Sequence, residues 1–266
     1  MTQGERRRYL LETLKQENPS YADLSLPANE VEQKWLLRAL FNVRMPKPAG
    51  REFLRIQDEY LAEEIRQKGI TDIAELSPIQ PDLYLWQGDI TTLRCDVIVN
   101  AANRQLLGCF CPNHGCIDNA IHTWAGVQLR LCCAELMAGQ GHDEEPGRAK
   151  ITPAYNLPAK YVIHTVGPLV DGQGKEKDCA QLKSCYSACL ELAAEKKLQS
   201  IAFCCISTGE FHFPNEKAAE IAVRTVQDYK AKTQSEIKVI FNVFKDRDYE
   251  IYRKQLRSSG NAEKEN

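Results

Sequence analysis

The alternation of short apolar runs with helical patterns in the last two thirds of the chain most constrains the fold. The apolar runs are rich in β-branched and aromatic residues and cover residues 83–86, 96–99, 161–166, 201–206 and 238–244. The helical patterns fall near residues 118–137, 182–197, 216–232 and 248–257. Because strands that alternate with helices build parallel sheets covered by helices, we predict an α/β fold with a largely parallel sheet.

The first part of the chain has a different pattern, which is typical of amphipathic helices. Apolar residues recur there at three- and four-residue spacing, as at Leu37 and Phe41. Gly69 ends this pattern as a helix stop, and two proline turns follow it. We predict an N-terminal helical extension over residues 1–73 and an α/β domain over residues 74–266. The extension could recognise a partner protein, cover a ligand cleft or stabilise the domain, and its mixed charges favour stabilisation.

Charge and cysteine content exclude several classes of protein. The formal charge is −2 and basic residues mix with acidic ones, so we expect no nucleic-acid partner. No apolar run approaches the roughly 20 residues of a membrane span, and the amino terminus does not have the pattern of a signal peptide. The eleven cysteines are an odd number, and many lie in apolar runs. We expect a cytoplasmic protein with reduced thiols and no membrane partner.

Three polar segments come directly after predicted strands. They are Gly88-Asp-Ile-Thr91, Asn100-Ala-Ala-Asn103 and Ser207-Thr-Gly-Glu-Phe211. In open parallel sheets, ligands bind at the carboxyl ends of the strands, so these segments are expected to form one cleft.

Each of these segments carries groups that could bind a ligand, and each also has an ordinary structural interpretation. The carboxylate of Asp89 can accept a hydrogen bond from an exocyclic amine, or it can simply stabilise its turn. Asn103 offers a donor and an acceptor for sugar hydroxyls, whereas Asn100 can tie loop backbone together. The small residues after Ser207 expose backbone N–H groups that can hold a pyrophosphate, although an ordinary connection to the next helix would use the same residues.

A loop that groups cysteine with histidine follows the second polar segment. Cys109, His114 and Cys116 lie close enough in sequence to wrap one ion, and thiolate with imidazole suits zinc. Three protein ligands leave a coordination position open, which is the pattern of a catalytic zinc site. Cys111 is kept as a substitute ligand. The alternative is a loop of ordinary cysteines beside a surface histidine.

Together with residues 117–122 and His164-Thr-Val-Gly-Pro168, these segments resemble the macrodomain family over roughly residues 74 to 257. The resemblance implies a three-layer α/β/α fold with a mostly parallel mixed sheet, and a cleft for ADP-ribose. It gives Asp89 and the Ile90 backbone to adenine and Asn103 to the distal ribose. The substrate-binding set that it implies is Asp89, Ile90, Asn103, Cys116, Ile117, Asp118, Ser207, Thr208, Gly209, Glu210 and Phe211.

The cysteine loop replaces a glycine-rich loop of ordinary macrodomains and resembles the zinc-containing branch of bacteria and fungi. That branch implies a protein-ADP-ribose hydrolase that removes mono-ADP-ribose from acidic side chains. It also implies a sirtuin-type transferase and a lipoylated carrier protein as partners. Zinc would activate water, polarise the ester carbonyl or orient ribose hydroxyls. The alternatives are a non-catalytic ADP-ribose reader and an O-acetyl-ADP-ribose deacetylase.

Catalytic roles are predicted for Cys116, as a zinc ligand, and for Asp118, which follows it at a predicted helix start. A role of Asp118 as a helix cap is the alternative and is compatible with the catalytic one. Glu210 is a weaker acid–base candidate, and His212 stands where the family usually has glycine. His122 and His164 are interpreted as structural. Phe211 offers a flat face near the sugar-phosphate site. Phe244 matches the position of an adenine-stacking aromatic, but the interpretation favoured here is that it belongs to the core.

Overall fold

The structure, a computed structural model, describes residues 1–262, with side chains through Arg257. The strands are β1 (Thr71–Asp72), β2 (Leu83–Gln87), β3 (Leu93–Arg94), β4 (Val97–Ala101), β5 (Ala149–Pro153), β6 (Tyr161–Thr165), β7 (Ser200–Phe203) and β8 (Lys238–Val243). The helices are α1 (Gln3–Gln16), α2 (Glu30–Val43), α3 (Arg51–Lys68), α4 (Ile117–Ala125), α5 (Val127–Gln140), α6 (Glu176–Glu195), α7 (Asn215–Thr233) and α8 (Asp246–Ala262).

Six strands form the central sheet in the order β2-β8-β7-β4-β6-β5. All neighbouring pairs are parallel except β5 with β6, which is antiparallel. Val97, Ile98 and Val99 of β4 are all 0% exposed, so both faces of the sheet are covered. This confirms the predicted α/β fold with a mostly parallel mixed sheet.

The helices pack on the sheet in two groups. α4 packs against β4 and α5 against β5, whereas α6 packs against β5 and β6 and α8 against β2 and β8. The helical stretch predicted near residues 118–137 consists of two helices, because Gly126 takes φ +95° and separates α4 from α5. A Cβ at Gly126 would lie 2.7 Å from side-chain atoms of Gln57 and Gln128, so the break allows a close approach of α3.

Two further differences from the predictions concern the start of α6 and the presence of β5. Helix α6 begins at Glu176, six residues before the predicted start, because its first turn is polar and is set by the capping interaction of Lys175 with Asp178. Strand β5 was not predicted, because it is a short edge strand that ends at Pro153 and lacks a long apolar run.

The N-terminal helices have an apolar core of their own. Its buried members are Leu10, Leu11, Leu14, Leu37, Leu40, Phe41, Phe53, Ile56, Tyr60 and Leu61. Trp124 of α4 packs against this core and also against the core of the sheet domain. After α3, strand β1 pairs with β3. The helical extension is thus joined to the sheet domain by side chains and by a short backbone ladder, and the division at residue 73 stays a prediction.

A search of the helices in the described part of the chain finds none with the length and apolarity of a membrane span.

Candidate active site

The carboxyl ends of the parallel strands meet at one edge of the sheet, where the three polar segments lie. The Gly88 N–H donates to the Val243 carbonyl at 3.0 Å, and the Asn242 side chain donates to the Gly88 carbonyl at 3.0 Å. These bonds hold the turn after β2 beside the end of β8. Asp89, in this turn, therefore lies at one side of the expected cleft.

Asp89 begins a short 3₁₀ turn at this side of the cleft. Its Oδ1 accepts hydrogen bonds from the Thr91 N–H at 3.0 Å and the Thr91 hydroxyl at 2.6 Å. Its Oδ2 accepts from Lys68 Nζ at 2.9 Å. Burial raises the pKa of Asp89, but the bonds from Thr91 and the charge of Lys68 outweigh it and hold the pKa below its ordinary value. Asp89 thus has the turn-stabilising role, and its adenine role stays a prediction.

The loop after β7 leaves backbone donors free. The N–H groups of Thr208 and His212 donate within the loop. Within the described residues, no hydrogen bond uses the N–H groups of Ser207, Gly209, Glu210 and Phe211. Ser207 has φ +65°, and its buried hydroxyl has no partner among the described residues. Such a group of aligned donors can bind phosphate oxygens.

Asn100, Asn103 and Asp118 form one buried polar network between this loop and the cysteine loop. Asn100 Nδ2 donates to Asp118 Oδ1 at 2.8 Å, and Asn103 Nδ2 lies 3.5 Å from Asp118 Oδ2. Asn103 Nδ2 also donates to the Gly108 carbonyl at 2.8 Å. Burial raises the pKa of Asp118 to about 6, although the bond from Asn100 opposes this effect. Asn103 Oδ1 is buried and has no partner in the described part of the chain, so it can accept from a ligand.

The structure brings the three predicted zinc ligands together. Cys109 Sγ lies 3.7 Å from His114 Nδ1, and these atoms and Cys116 Sγ lie within 4.8 Å of one another. Cys116 is the N-cap of α4, and its sulfur accepts the Asn119 N–H at 3.4 Å. Cys111 is exposed and is not part of this cluster. The structure therefore does not bring the substitute ligand to the site.

The donors in this cluster fit a zinc ion. Two thiols and one imidazole are borderline to soft donors, and their mutual distances suit tetrahedral coordination. Burial raises the pKa of the Cys116 thiol to about 12, and Cys109 beside it raises the pKa as well. A divalent cation would compensate the two thiolates, which cannot readily form side by side without one. Cys109, His114 and Cys116 are the residues that would hold it.

A second cluster, His122 with Cys133 and His164, is buried below the cleft. Its ligand atoms also lie within 4.8 Å of one another, so it could hold a metal ion. However, both nitrogens of His164 already contact protein groups, Asn100 Nδ2 at 3.2 Å and Thr152 Oγ1 at 2.9 Å. Burial lowers the pKa of His122, and the positive charge of Arg130 lowers it further. The same positive charge would repel a metal cation at this cluster. The loop cluster is the better metal site.

The two histidines of this second cluster differ in their contacts. His164 is hydrogen-bonded on both sides, as expected of a structural residue. His122 has no hydrogen-bond partner for either ring nitrogen among the described residues, and its Nε2 lies 3.5 Å from Asp118 Oδ1. His122 thus lies directly behind the buried carboxylate.

Glu210, in the loop after β7, connects that loop with the metal loop, which is the cysteine loop over residues 109–116. Glu210 Oε1 lies 3.6 Å from His114 Nε2. His212 is exposed with φ +55°, which explains why glycine is usual at this position. Phe211 is half-buried. The core interpretation of Phe244 is wrong, because the residue is 74% exposed just after the end of β8.

Sequence reasoning missed the residues that the helical extension brings to the cleft. Lys68 of α3 contacts Asp89, while Arg38 and Asn42 of α2 contact the metal loop. The available signal was Asn42, a polar residue within the apolar Leu40-Phe-Asn-Val43 segment. Asn42 is only 1% exposed, so this polar residue is buried against a neighbouring segment.

Replacement of Gly108 by alanine is expected to destabilise the protein by about 3 kcal/mol. Gly108 has φ +78°, and a Cβ there would lie 2.7 Å from the ring of buried His122. Urea unfolding measures the effect. Gly139→Ala is the matched control, because Gly139 lies in α5 with nothing within 4 Å of an added Cβ. This control should stabilise the protein by up to about 1 kcal/mol. Equal effects of the two substitutions would contradict the strained backbone and close contact described for Gly108.

The fold and the site together define an α/β protein with a polar cleft at the carboxyl ends of its strands and, at that cleft, a loop whose cysteines and histidine could hold a metal ion. A model of the Macro domain matches residues 99–222. A protein-ADP-ribose hydrolase of Treponema medium is 58% identical over 260 residues, covering 96% of this chain and 100% of that protein. Another, from Staphylococcus aureus (strain MRSA252), is 51% identical and covers 92% of each chain. The chain belongs to the macrodomain family, within its protein-ADP-ribose hydrolases.

A solved structure supports the same assignment. The Trypanosoma brucei macrodomain in complex with ADP-ribose superposes with a TM-score of 0.63 at 30% identity. The match covers 82% of this chain and 94% of that one. Family and fold, both predicted from the sequence, are confirmed.

Proposed function

We propose that this protein is a zinc-dependent hydrolase that removes mono-ADP-ribose from modified aspartate or glutamate side chains of proteins. The observation that carries the proposal is the position of the metal-ligand cluster. Cys116 caps α4, and the first turn of that helix carries Asp118, which contacts Asn103. Metal ligands and a sugar-binding amide thus share one corner of the cleft.

ADP-ribose would lie along the strand ends. Asp89 and the Ile90 N–H, which has no partner among the described residues, would bind adenine. The pyrophosphate would be bound by the N–H groups that are likewise unused in the described part of the chain, those of Ser207, Gly209, Glu210 and Phe211. Asn103 would bind the distal ribose through Oδ1, which has no partner among the described residues. The substrate-binding set predicted from the sequence is retained in this proposal, including Cys116 and Ile117 at the start of α4.

The chain's own residues orient the scissile end of the ligand. Asp118 accepts from the side chains of Asn100 and Asn103 and so orients both, and its carboxylate would accept a hydrogen bond from a ribose hydroxyl. Glu210 contacts His114 from the opposite loop and closes this corner. Zinc with one open position supplies Lewis-acid chemistry when bound.

The partners follow from the resemblance to the zinc-containing branch. The substrate would be a mono-ADP-ribosylated protein, with a lipoylated carrier protein as candidate, and the modifying enzyme would be a sirtuin-type transferase. ADP-ribose would be the product.

A time course of free ADP-ribose from an aspartate- or glutamate-modified protein tests the function. The hydrolase should release ADP-ribose catalytically, and a strong chelator should stop release until zinc is restored. Stoichiometric binding without release would instead identify a reader. Faster turnover of O-acetyl-ADP-ribose than of the modified protein would identify a small-metabolite deacetylase.

Asp89→Asn is expected to weaken ADP-ribose binding about 10- to 100-fold, because a hydrogen bond to a charged acceptor would be lost. Asparagine keeps an acceptor for the Thr91 N–H, so the turn should persist. Isothermal titration with ADP-ribose measures the change. Asp82→Asn is the control, since Asp82 lies before the amino end of β2, away from the carboxyl ends of the strands, and pairs with Lys230. Equal affinities of both variants and the unmodified protein would remove Asp89 from the adenine site.

A further inference from the structure

The metal loop is held from outside the sheet domain by helix α2. Arg38 Nη2 donates to the His114 carbonyl at 2.9 Å and to Asn119 Oδ1 at 2.9 Å. One helical turn later, Asn42 Oδ1 accepts the Asn113 N–H at 2.9 Å. The backbone groups on either side of the Asn113–His114 peptide are therefore both fixed by the extension.

The same two residues also fix the helix that follows the loop. Asn42 Nδ2 donates to Thr123 Oγ1 at 2.9 Å, one turn beyond the contact of Arg38 with Asn119. Residues four apart on α2 thus face residues four apart on α4, which matches the helical repeat. The metal loop is held between two helices in a single register.

Asn119 passes this constraint to the cysteines. Its Oδ1 faces Arg38, so its Nδ2 points to the loop and donates to the Cys111 carbonyl at 3.0 Å and the Cys109 carbonyl at 3.4 Å. Its backbone N–H donates to Cys116 Sγ at 3.4 Å. Arg38 therefore sets the orientation of the Asn119 amide, which donates to the backbone of Cys109. Through its own backbone, Asn119 also donates to the sulfur of Cys116.

The contacts serve the loop more than the packing of α2. Asn42 is 1% exposed beside the apolar core of the extension, where an apolar side chain would pack without a need for hydrogen bonds. Asn113 has φ +54°, a conformation that a non-glycine residue rarely adopts unless its surroundings hold it. A buried amide on α2 opposite this peptide supplies that support.

We infer that Arg38 and Asn42 are positioning residues that preset Cys109, His114 and Cys116 for the metal, so that the helical extension controls metal retention. The inference rests on the proposed zinc function and assigns the extension a role beyond stabilisation. Partners of metal ligands typically change metal affinity 10- to 100-fold when they are removed.

The test compares metal release from the full-length protein loaded with zinc or cobalt. Arg38→Met keeps the apolar stem but removes the donors, and Asn42→Ala removes the second contact from a separate turn. Both should release metal to a chromogenic chelator about 10- to 100-fold faster than the unmodified protein. Both should also change the thiolate-to-cobalt absorption bands. Arg38→Lys keeps a cationic donor and should restore part of the retention.

Arg6→Met is the matched control. Arg6 lies in α1 and bonds to Glu59 and Gln3, both within the extension. Its release rate should stay within about twofold of that of the unmodified protein at comparable thermal stability. Release rates of Arg38→Met or Asn42→Ala that equal that of Arg6→Met, with unchanged cobalt bands, would overturn the inference. Failure of the unmodified protein to take up either metal would contradict the proposed function itself and remove the inference with it.

Discussion

Cys116→Ser is expected to lower kcat for ADP-ribose release at least about 10³-fold, because it removes a ligand from the proposed zinc site. The substitution separates the effect of losing the metal from the effect of disturbing the fold. Serine is a good N-cap, and its hydroxyl can accept the Asn119 N–H that Cys116 Sγ accepts now. Helix α4 should therefore keep its first turn, and loss of turnover would report on the metal.

Metal content by elemental analysis and turnover on a modified protein measure this effect together. Cys111→Ser is the control in the same loop, because Cys111 is exposed and lies outside the ligand cluster. It should keep one metal per chain and full activity. Full turnover of Cys116→Ser with no bound metal would refute zinc dependence, and loss of metal from Cys111→Ser would change the ligand set.

Asp118→Asn is expected to lower kcat about 10²-fold while ADP-ribose affinity changes only a few-fold. Asparagine has nearly the same shape but replaces one carboxylate oxygen by an NH₂ group, so it cannot accept from both Asn100, which now donates to Oδ1, and Asn103, which lies near Oδ2. Two amide donors would then face each other, and Asn103 would turn away from the distal ribose. The buried negative charge behind the reacting end would also be lost.

Separate measurement of kcat and of ADP-ribose affinity distinguishes this effect from loss of binding. Asp96→Asn is the control, since Asp96 accepts the backbone N–H groups of Gln199 and Ser200 at the other edge of the sheet. It should lower stability without changing kcat. A kcat for Asp118→Asn within about threefold of the unmodified value, with metal retained, would leave Asp118 a structural helix residue.

The fold and the cleft could be predicted because their signals are local. Buried strands such as Val97 to Val99 are continuous apolar runs, and the polar residues that follow them reach one edge in any parallel sheet. The metal loop was predictable for the same reason, since Cys109, His114 and Cys116 lie within eight residues of chain. Such short spacing restricts where the donors can lie.

The contacts of the extension could not be predicted, because they join residues far apart in sequence. Arg38 and His114 are separated by 76 positions. A polar residue in an apolar segment, such as Asn42, indicates a buried contact but does not indicate which distant loop it meets. The break at Gly126 was missed because it depends on the approach of Gln57 from α3. The exposure of Phe244 depends on whether a neighbouring element covers the strand end, which an aromatic residue in sequence does not reveal.

Trp124 packs into both apolar cores, and Lys68 Nζ lies 3.7 Å from its ring centroid. Trp124 occupies the same short helix as Asp118, so a shift at the seam between the two cores would be passed through α4 to this corner of the cleft. We therefore expect heat or denaturant that loosens the first three helices to disturb the proposed catalytic corner while the sheet is still intact. The working lifetime of the enzyme at elevated temperature would then depend on the packing of the helical core.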